Sequence, residues 1–187
     1  MVAAAARLVE HRAQIARTCF IVLAGVALMT LAAKIQVPFW PVPMTLHTLA
    51  VMAFTVYFGP RIAVSIFLAY LVAGALGFPV FSGSPERGIG LAYMVGPTGG
   101  YLAGYLIASW LVGWLASGKR LLGRLAAMLI GISVVYAFGV AWLALYIPAA
   151  QLLAVGVLPF LLGDLVKIVV VAVGFGLLPA PLREASQ

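Results

Sequence analysis

Six stretches of this chain read as membrane-crossing helices, and proline or glycine divides each from the next. A crossing needs roughly 20 apolar residues at ~1.5 Å each to cover ~30 Å of hydrocarbon. The windows fall at 18–36, 44–58, 61–78, 98–117, 125–147 and 159–178. Pro38, Pro41 and Pro43 follow the first, and Gly59-Pro60 splits the second from the third. Pro79 ends the third and Pro97 precedes the fourth. Gly118 to Gly123 separates the fourth from the fifth, and Pro148 and Pro159 bracket the last gap. The period-2 alternation of a membrane barrel is absent. The fold class expected is an all-α membrane protein, a bundle of six transmembrane helices. Composition agrees: 65% of the residues are hydrophobic and 8% charged, far from a soluble domain and equally far from a disordered chain. The first apolar run is too long for a signal peptide and reads as a retained span. Cys19, inside it, has no cysteine to pair with and reads as a small buried thiol.

The second window is short, about 22 Å as a helix. Irregular backbone at membrane depth is tolerated only where protein or water satisfies it, so residues 37–43 are expected to dip into the bundle. Charge sets the orientation. Arg7, Arg12, Arg17, Arg61, Lys119, Arg120, Arg124 and Arg183 fall on one side, while the opposite loops hold only Lys34 and Arg87. Both termini are therefore expected in the cytoplasm, with tails at 1–17 and 179–187 around a membrane domain at 18–178. The net charge of +7 is topology signal, since no basic stripe with interleaved aromatics suggests nucleic acid. The longest outer connection, 79–97, carries Glu86 and Arg87 and reads either as a lid or as a solvated connector. The apolar loop 149–158 is expected to be partly inserted.

Asp164 is the one acid inside a span and Lys167 the one base near the middle of a span. Each alone costs on the order of 3 kcal/mol to insert at a helix centre. Three residues apart, they share a helix face, with Phe160 and Val171 on the same stripe. They read either as a self-neutralising structural pair or as a ligand site some 7 to 12 Å (roughly, from helical rise) below the outer boundary. A carboxylate accepts N–H bonds and an ammonium donates to a carbonyl, so the pair suits a urea, amide or lactam held between apolar walls.

Other helices carry packing signals. Gly100, Gly104 and Ala108 repeat every four residues, with Ser109 and Gly113 as a parallel seam. Tyr57, Trp110, Trp114, Trp142 and Tyr146 read as interfacial anchors. No G-x-x-x-x-G-K-[ST] string is present, so a P-loop ATP site is excluded. The two histidines, His11 and His47, are too few for metal hydrolysis or a histidine-based triad, and His47 reads as a capping or packing residue. One intramembrane acid does not make the paired-aspartate motif of a membrane prenyl transferase. No catalytic residue, no metal site and no enzymatic function are expected.

Four stretches in order, PVPMTLHTLAV (41–51), FGPR (58–61), GFPVFSG (77–83) leading into GPTGGYLAGY (96–105), and GDLVK (163–167), resemble the BioY family, the biotin-binding S components of energy-coupling factor transporters. The resemblance implies a subunit of the cell membrane that captures biotin from outside, with biotin as cargo and no cofactor. It implies partners as well: a transmembrane coupling protein and two cytoplasmic ATPases, beside membrane lipid. In family terms Asp164 and Lys167 contact the ureido ring, Phe81 and Ser82 line the lid, and Thr45 and Tyr101 lie near the pocket. The valerate carboxylate points outward, toward backbone N–H groups around 98–100 or toward Arg87. Docking of the coupling protein would use a small-residue seam on the first helix at Ala24 and Ala32. Leu28 interrupts that seam, and His47 stands where the family pattern usually has Gln, which puts a pocket role for it in doubt. The alternatives are an S component for another small vitamin and a stand-alone biotin carrier. Carriers often show inverted repeats, and none is evident between 18–78 and 98–178.

Overall fold

The computed structural model describes residues 2–37 and 40–177; the expected tail at 179–187, with Arg183, lies outside the described residues, as does Pro38. Helix α1 runs Val2–Lys34, followed by a two-stranded antiparallel hairpin, β1 Gln36–Val37 and β2 Met44–Thr45, with Gln36 opposite Thr45. Then come α2 His47–Ala75, α3 Gly90–Met94, α4 Gly99–Ala116 and α5 Leu121–Leu143. A 3-10 turn at Ala149–Gln151 leads into α6 Leu152–Gly156 and α7 Leu158–Leu177.

Five helical stretches among the described residues are long and apolar enough to cross a membrane, and the second of them is two helices. Within α2, Gly59 has φ 73° and ψ 179°, a conformation open to glycine and rarely to other residues. Pro60 then starts a new helix with no N–H to satisfy. The proof of reversal is a distance. His47 Nε2 and Tyr70 Oη lie 2.9 Å apart, whereas 23 residues of straight helix would separate them by about 34 Å. The chain thus makes the six expected passes, with 47–58 and 60–75 as antiparallel neighbours. The first half, about 18 Å long, does not reach across alone. The buried Pro41, Val42 and Pro43 complete its outer end, as the short window required, while Val37 and Trp40 stay exposed.

Two differences from the sequence reading have simple causes. The expected tail at 1–17 is continuous with α1, because neither proline nor glycine occurs before Gly25 to interrupt the helix. At about 50 Å, α1 is far longer than one crossing needs. Cys19 is exposed rather than buried, on a helix that gives most of its surface to lipid.

In a bilayer the hydrophobic effect does not drive helix against helix, so close packing must. The α4 glycines provide it: a Cβ at Gly100 would lie 2.4 Å from the Phe138 carbonyl oxygen, and one at Gly104 would lie 2.8 Å from the Val135 Cα. Gly113 sits against Pro60 in the same way, joining α4 to the reversal in α2. Ala108 and Ser109 are buried between these contacts. The core forms two apolar groups. One joins α2, α4, α5 and α7; the other joins α1 and α2 to Phe81 and Tyr93 of the 79–97 segment. Polar side chains collect at the outer end, between the two.

Candidate functional site

Asp164 and Lys167 lie one turn apart on α7 and form an ion pair, Nζ to Oδ1 at 2.8 Å. Both are largely buried, and each has a further partner from another helix or strand. Tyr136 on α5 donates its hydroxyl to Asp164 Oδ2 at 2.7 Å. Lys167 Nζ donates to the Thr45 carbonyl at 2.7 Å, at the end of β2. A carboxylate oxygen accepts two bonds and an ammonium donates three. Each Asp164 oxygen therefore keeps a lone pair, and Lys167 keeps an N–H, beyond these contacts.

The pair faces a pocket of about 530 Å³, counting its open mouth. Thr45, His47 and Thr48 form one wall, Tyr101 and Tyr105 of α4 a second, and Tyr136 a third. Phe160, Asp164 and Lys167 come from α7, Ser82 and Tyr93 from the 79–97 segment, and Thr98 from the N-cap of α4. The α7 stripe expected from residue spacing is thus turned inward, with Phe160 and Val171 both buried. A cavity adjoins the charges, which a sealed structural pair would not have.

A directed chain of hydrogen bonds backs the Thr45 wall. Tyr70 Oη has one proton and donates it to the Val80 carbonyl at 3.2 Å. It must then accept from His47 Nε2–H, 2.9 Å away, which fixes the tautomer. His47 Nδ1 is left to accept from Thr45 Oγ1 at 2.9 Å. His47 is therefore a pocket residue engaged at both ring nitrogens, against the doubt raised by its departure from the family pattern. It does not cap α2; Leu46 occupies the N-cap. Beside it, Thr48 Oγ1 and Tyr105 Oη are 2.8 Å apart.

The 79–97 segment is packed down over this pocket. Phe81 is fully buried against Tyr70 and Tyr93, in space that Gly74 leaves open: a Cβ there would lie 2.0 Å from the ring. Lys34 Nζ donates to Ser84 O at 2.6 Å and to its Oγ at 3.1 Å, and Ser82 Oγ donates to Gln36 Oε1. From the far side Trp142 Nε1 donates to Gly96 O at 2.9 Å, and Tyr146 Oη donates to Val95 O. Those two aromatics are fasteners for the segment, where interfacial anchoring was expected. Trp110 and Trp114 are exposed and stacked on each other, as lipid-side residues would be. Burial holds the Tyr93 phenol above its ordinary pKa, so it stays a neutral hydroxyl at the pocket rim.

Of the residues singled out from sequence, Asp164, Lys167, Thr45, Ser82 and Tyr101 converge on one pocket. The Tyr101 hydroxyl is engaged by the Gly156 carbonyl at 2.7 Å, so its ring is what lines the cavity. Phe81 is a plug beneath the segment rather than a lining residue. Arg87 does not line the pocket; its guanidinium carbon lies 5.6 Å from the centre of the Trp40 ring. Ala24 is exposed but Ala32 is buried in the core. The two do not share an open face, because eight residues rotate a helix position by about 80°. Sequence reading missed Tyr105 and Tyr136. Tyr105 had a signal, four residues after Tyr101 and hence on the same face. Tyr136 had none, since only tertiary packing brings it to Asp164.

Comparison with known proteins gives one answer. The model of the BioY family matches residues 5–182. A probable biotin transporter BioY from Pyrococcus horikoshii is 39% identical over 142 residues, 76% of this chain and 83% of that one. The biotin transporter BioY of Thermotoga maritima is 35% identical over 148 residues, 78% of this chain and 86% of that one. A crystal structure of the S-component for biotin from an ECF-type ABC transporter superposes with a TM-score of 0.75 at 24% identity, over 92% of each chain. That last likeness is one of fold.

Proposed function

The chain belongs to the BioY family, and from that premise we propose that it captures biotin at the outer membrane face and carries it inward as the substrate-specific subunit of an energy-coupling factor transporter. It is a multi-pass membrane transport component and not an enzyme. The observation that carries the reading is the ion pair with spare capacity facing a pocket. A cyclic urea presents N–H donors and a carbonyl on one edge. Asp164 has lone pairs for the donors, and Lys167 has an N–H for the carbonyl. The aromatic walls from Tyr101, Tyr105 and Phe160 suit the apolar remainder of the ligand. Charged hydrogen bonds made away from water discriminate strongly against molecules that cannot complete them.

The ureido ring sits deep and the valerate chain points outward in this reading. Thr98 lies at the pocket rim; the Gly99 N–H is already bonded to the Gly96 carbonyl at 2.9 Å, so a carboxylate there is met by the N–H groups that follow it in the first α4 turn. Arg87, outside the lining, serves that carboxylate only after the segment moves. The 79–97 segment is the lid. A coupling protein and paired ATPases supply the energy, consistent with the lack of a P-loop motif. Docking on α1 uses the exposed face that holds Ala24, without Ala32.

The test is binding of biotin, desthiobiotin and biotin methyl ester to the purified protein. Biotin is expected to bind tightly and desthiobiotin, which keeps the ureido group, to bind measurably. The ester should bind more weakly if the carboxylate is held. Absence of biotin binding by the folded protein would overturn the proposal.

A further inference from the structure

Lys167 lines the pocket and Val80 belongs to the segment packed over it, and the two stand at opposite ends of one line of hydrogen bonds. Lys167 Nζ donates to the Thr45 carbonyl at 2.7 Å, and the Thr45 hydroxyl donates to His47 Nδ1 at 2.9 Å. His47 Nε2–H donates to Tyr70 Oη at 2.9 Å, and Tyr70 donates to the Val80 carbonyl at 3.2 Å. His47 is the junction. Its ring is stacked on Tyr105 and edge-on to Tyr70, with centroids 5.8 Å and 5.6 Å away, which keeps it from turning out of line. Both His47 and Tyr70 are buried.

Val80 decides the direction of the line. A carbonyl can only accept, so its presence commits the one proton of Tyr70. With the segment lifted away, Tyr70 is free to donate to His47 instead, and the ring then carries its proton on Nδ1. Thr45 would accept from the ring rather than donate to it. Contact of the segment with Tyr70 thus selects the tautomer that engages the Thr45 hydroxyl, in the residue whose carbonyl holds Lys167. Away from water a broken link leaves a buried group unpaired, so the links hold or fail together. Thr45 reaches the same segment by another route, through its strand partner Gln36, which accepts from Ser82. That route does not pass through His47.

We infer that His47, as the Nε2–H tautomer, is a positioning residue that couples closure of the 79–97 segment to the placement of Lys167. On the biotin reading above, on which this assignment rests, ligand held by Lys167 fixes Thr45 and Thr45 fixes the ring. The ring, through Tyr70, then retains Val80.

The experiment uses the full chain in detergent and has two arms. In the first, nitrogen NMR of ring-labelled histidine is recorded with biotin bound; His47 shares the spectrum with exposed His11 alone. His47 should show one tautomer, protonated on Nε2 and bare on Nδ1. Protonation on Nδ1, or an even mixture, overturns the inference on wild-type protein, with no variant that has to fold. The second arm is H47N, whose amide oxygen stands near the place of Nδ1 but whose side chain is too short to reach Tyr70. Biotin release should quicken by about threefold to tenfold, and the slowing of amide hydrogen exchange that biotin produces across 79–88 should shrink. Tyr70→Phe should do the same, and H47N/Y70F should do little more than either alone, because a line cut twice is still one line cut. Unchanged release in H47N overturns the coupling, and so do additive effects in the double variant. So does exchange that quickens equally with and without biotin, which is the mark of lost packing. Wild-type protein that binds no biotin overturns the biotin reading and this one together, whereas any of the other adverse results leaves the biotin reading standing.

Discussion

Tyr136 on α5 donates its hydroxyl to Asp164 Oδ2 on α7 at 2.7 Å, so the one acid of the membrane interior is tied to a second helix as well as to Lys167. The carboxylate is oriented before any ligand arrives. Orientation matters because a buried charge gains from a hydrogen bond only when the geometry is met, and loses heavily when a partner is missing.

Substitution of either member of the ion pair should weaken biotin binding. Asp164→Asn keeps the shape and removes the charge; Lys167→Ala removes the donor. Each should cost at least ~1.5 kcal/mol, roughly tenfold in affinity. Titration of purified protein with labelled biotin measures this, with circular dichroism to show that the helices remain. Unchanged affinity in both variants would remove the pair from the site.

Tyr136→Phe is the milder test. It deletes one donor to Asp164 and leaves the ring in place. Affinity should fall about fivefold, the worth of one hydrogen bond of about 1 kcal/mol. A double-mutant cycle with Asp164→Asn should show strong coupling, since in the absence of the charge the hydroxyl has less to stabilise. Additive effects would mean that Tyr136 acts by another route.

Lys34 joins α1 to the 79–97 segment through Ser84, without lining the pocket. If 79–97 is the lid we propose, Lys34→Met should leave the ureido contacts intact and loosen that segment, so dissociation should quicken by about threefold to tenfold while association changes little. A chase of bound radiolabelled biotin with excess unlabelled ligand reads the off-rate directly. If that rate does not move, the bond at Ser84 is not what retains the ligand.

Gly104 allows α5 to approach α4 closely, and the atom an added Cβ would meet is backbone, the Val135 Cα at 2.8 Å. Backbone cannot turn aside as a side-chain tip can. Gly104→Val should destabilise the bundle by about 1–3 kcal/mol, lowering the midpoint of thermal unfolding in detergent by several degrees. A variant as stable as the parent would show that the α4–α5 seam has slack.

How far the sequence could be read depended on the range of the interactions involved. Hydropathy over some twenty residues is a local property, and in a bilayer it nearly decides whether a segment crosses, because exposed backbone cannot be left unsatisfied there. The six passes, the reversal at Gly59-Pro60 and the charge asymmetry were accessible for that reason. So was the α7 pair, since two charges in an apolar helix stand out and a spacing of three puts them on one face. The direction of that face was a different matter. Only packing turned it toward a cavity, brought Tyr136 across 28 residues and the Thr45 carbonyl across 122 to meet it, and placed His47 between Thr45 and Tyr70. Packing also buried Ala32 while leaving Ala24 open, and set Arg87 beside Trp40 instead of in the pocket. These outcomes rest on contacts between segments distant in the chain, for which apolar patterning carries no address.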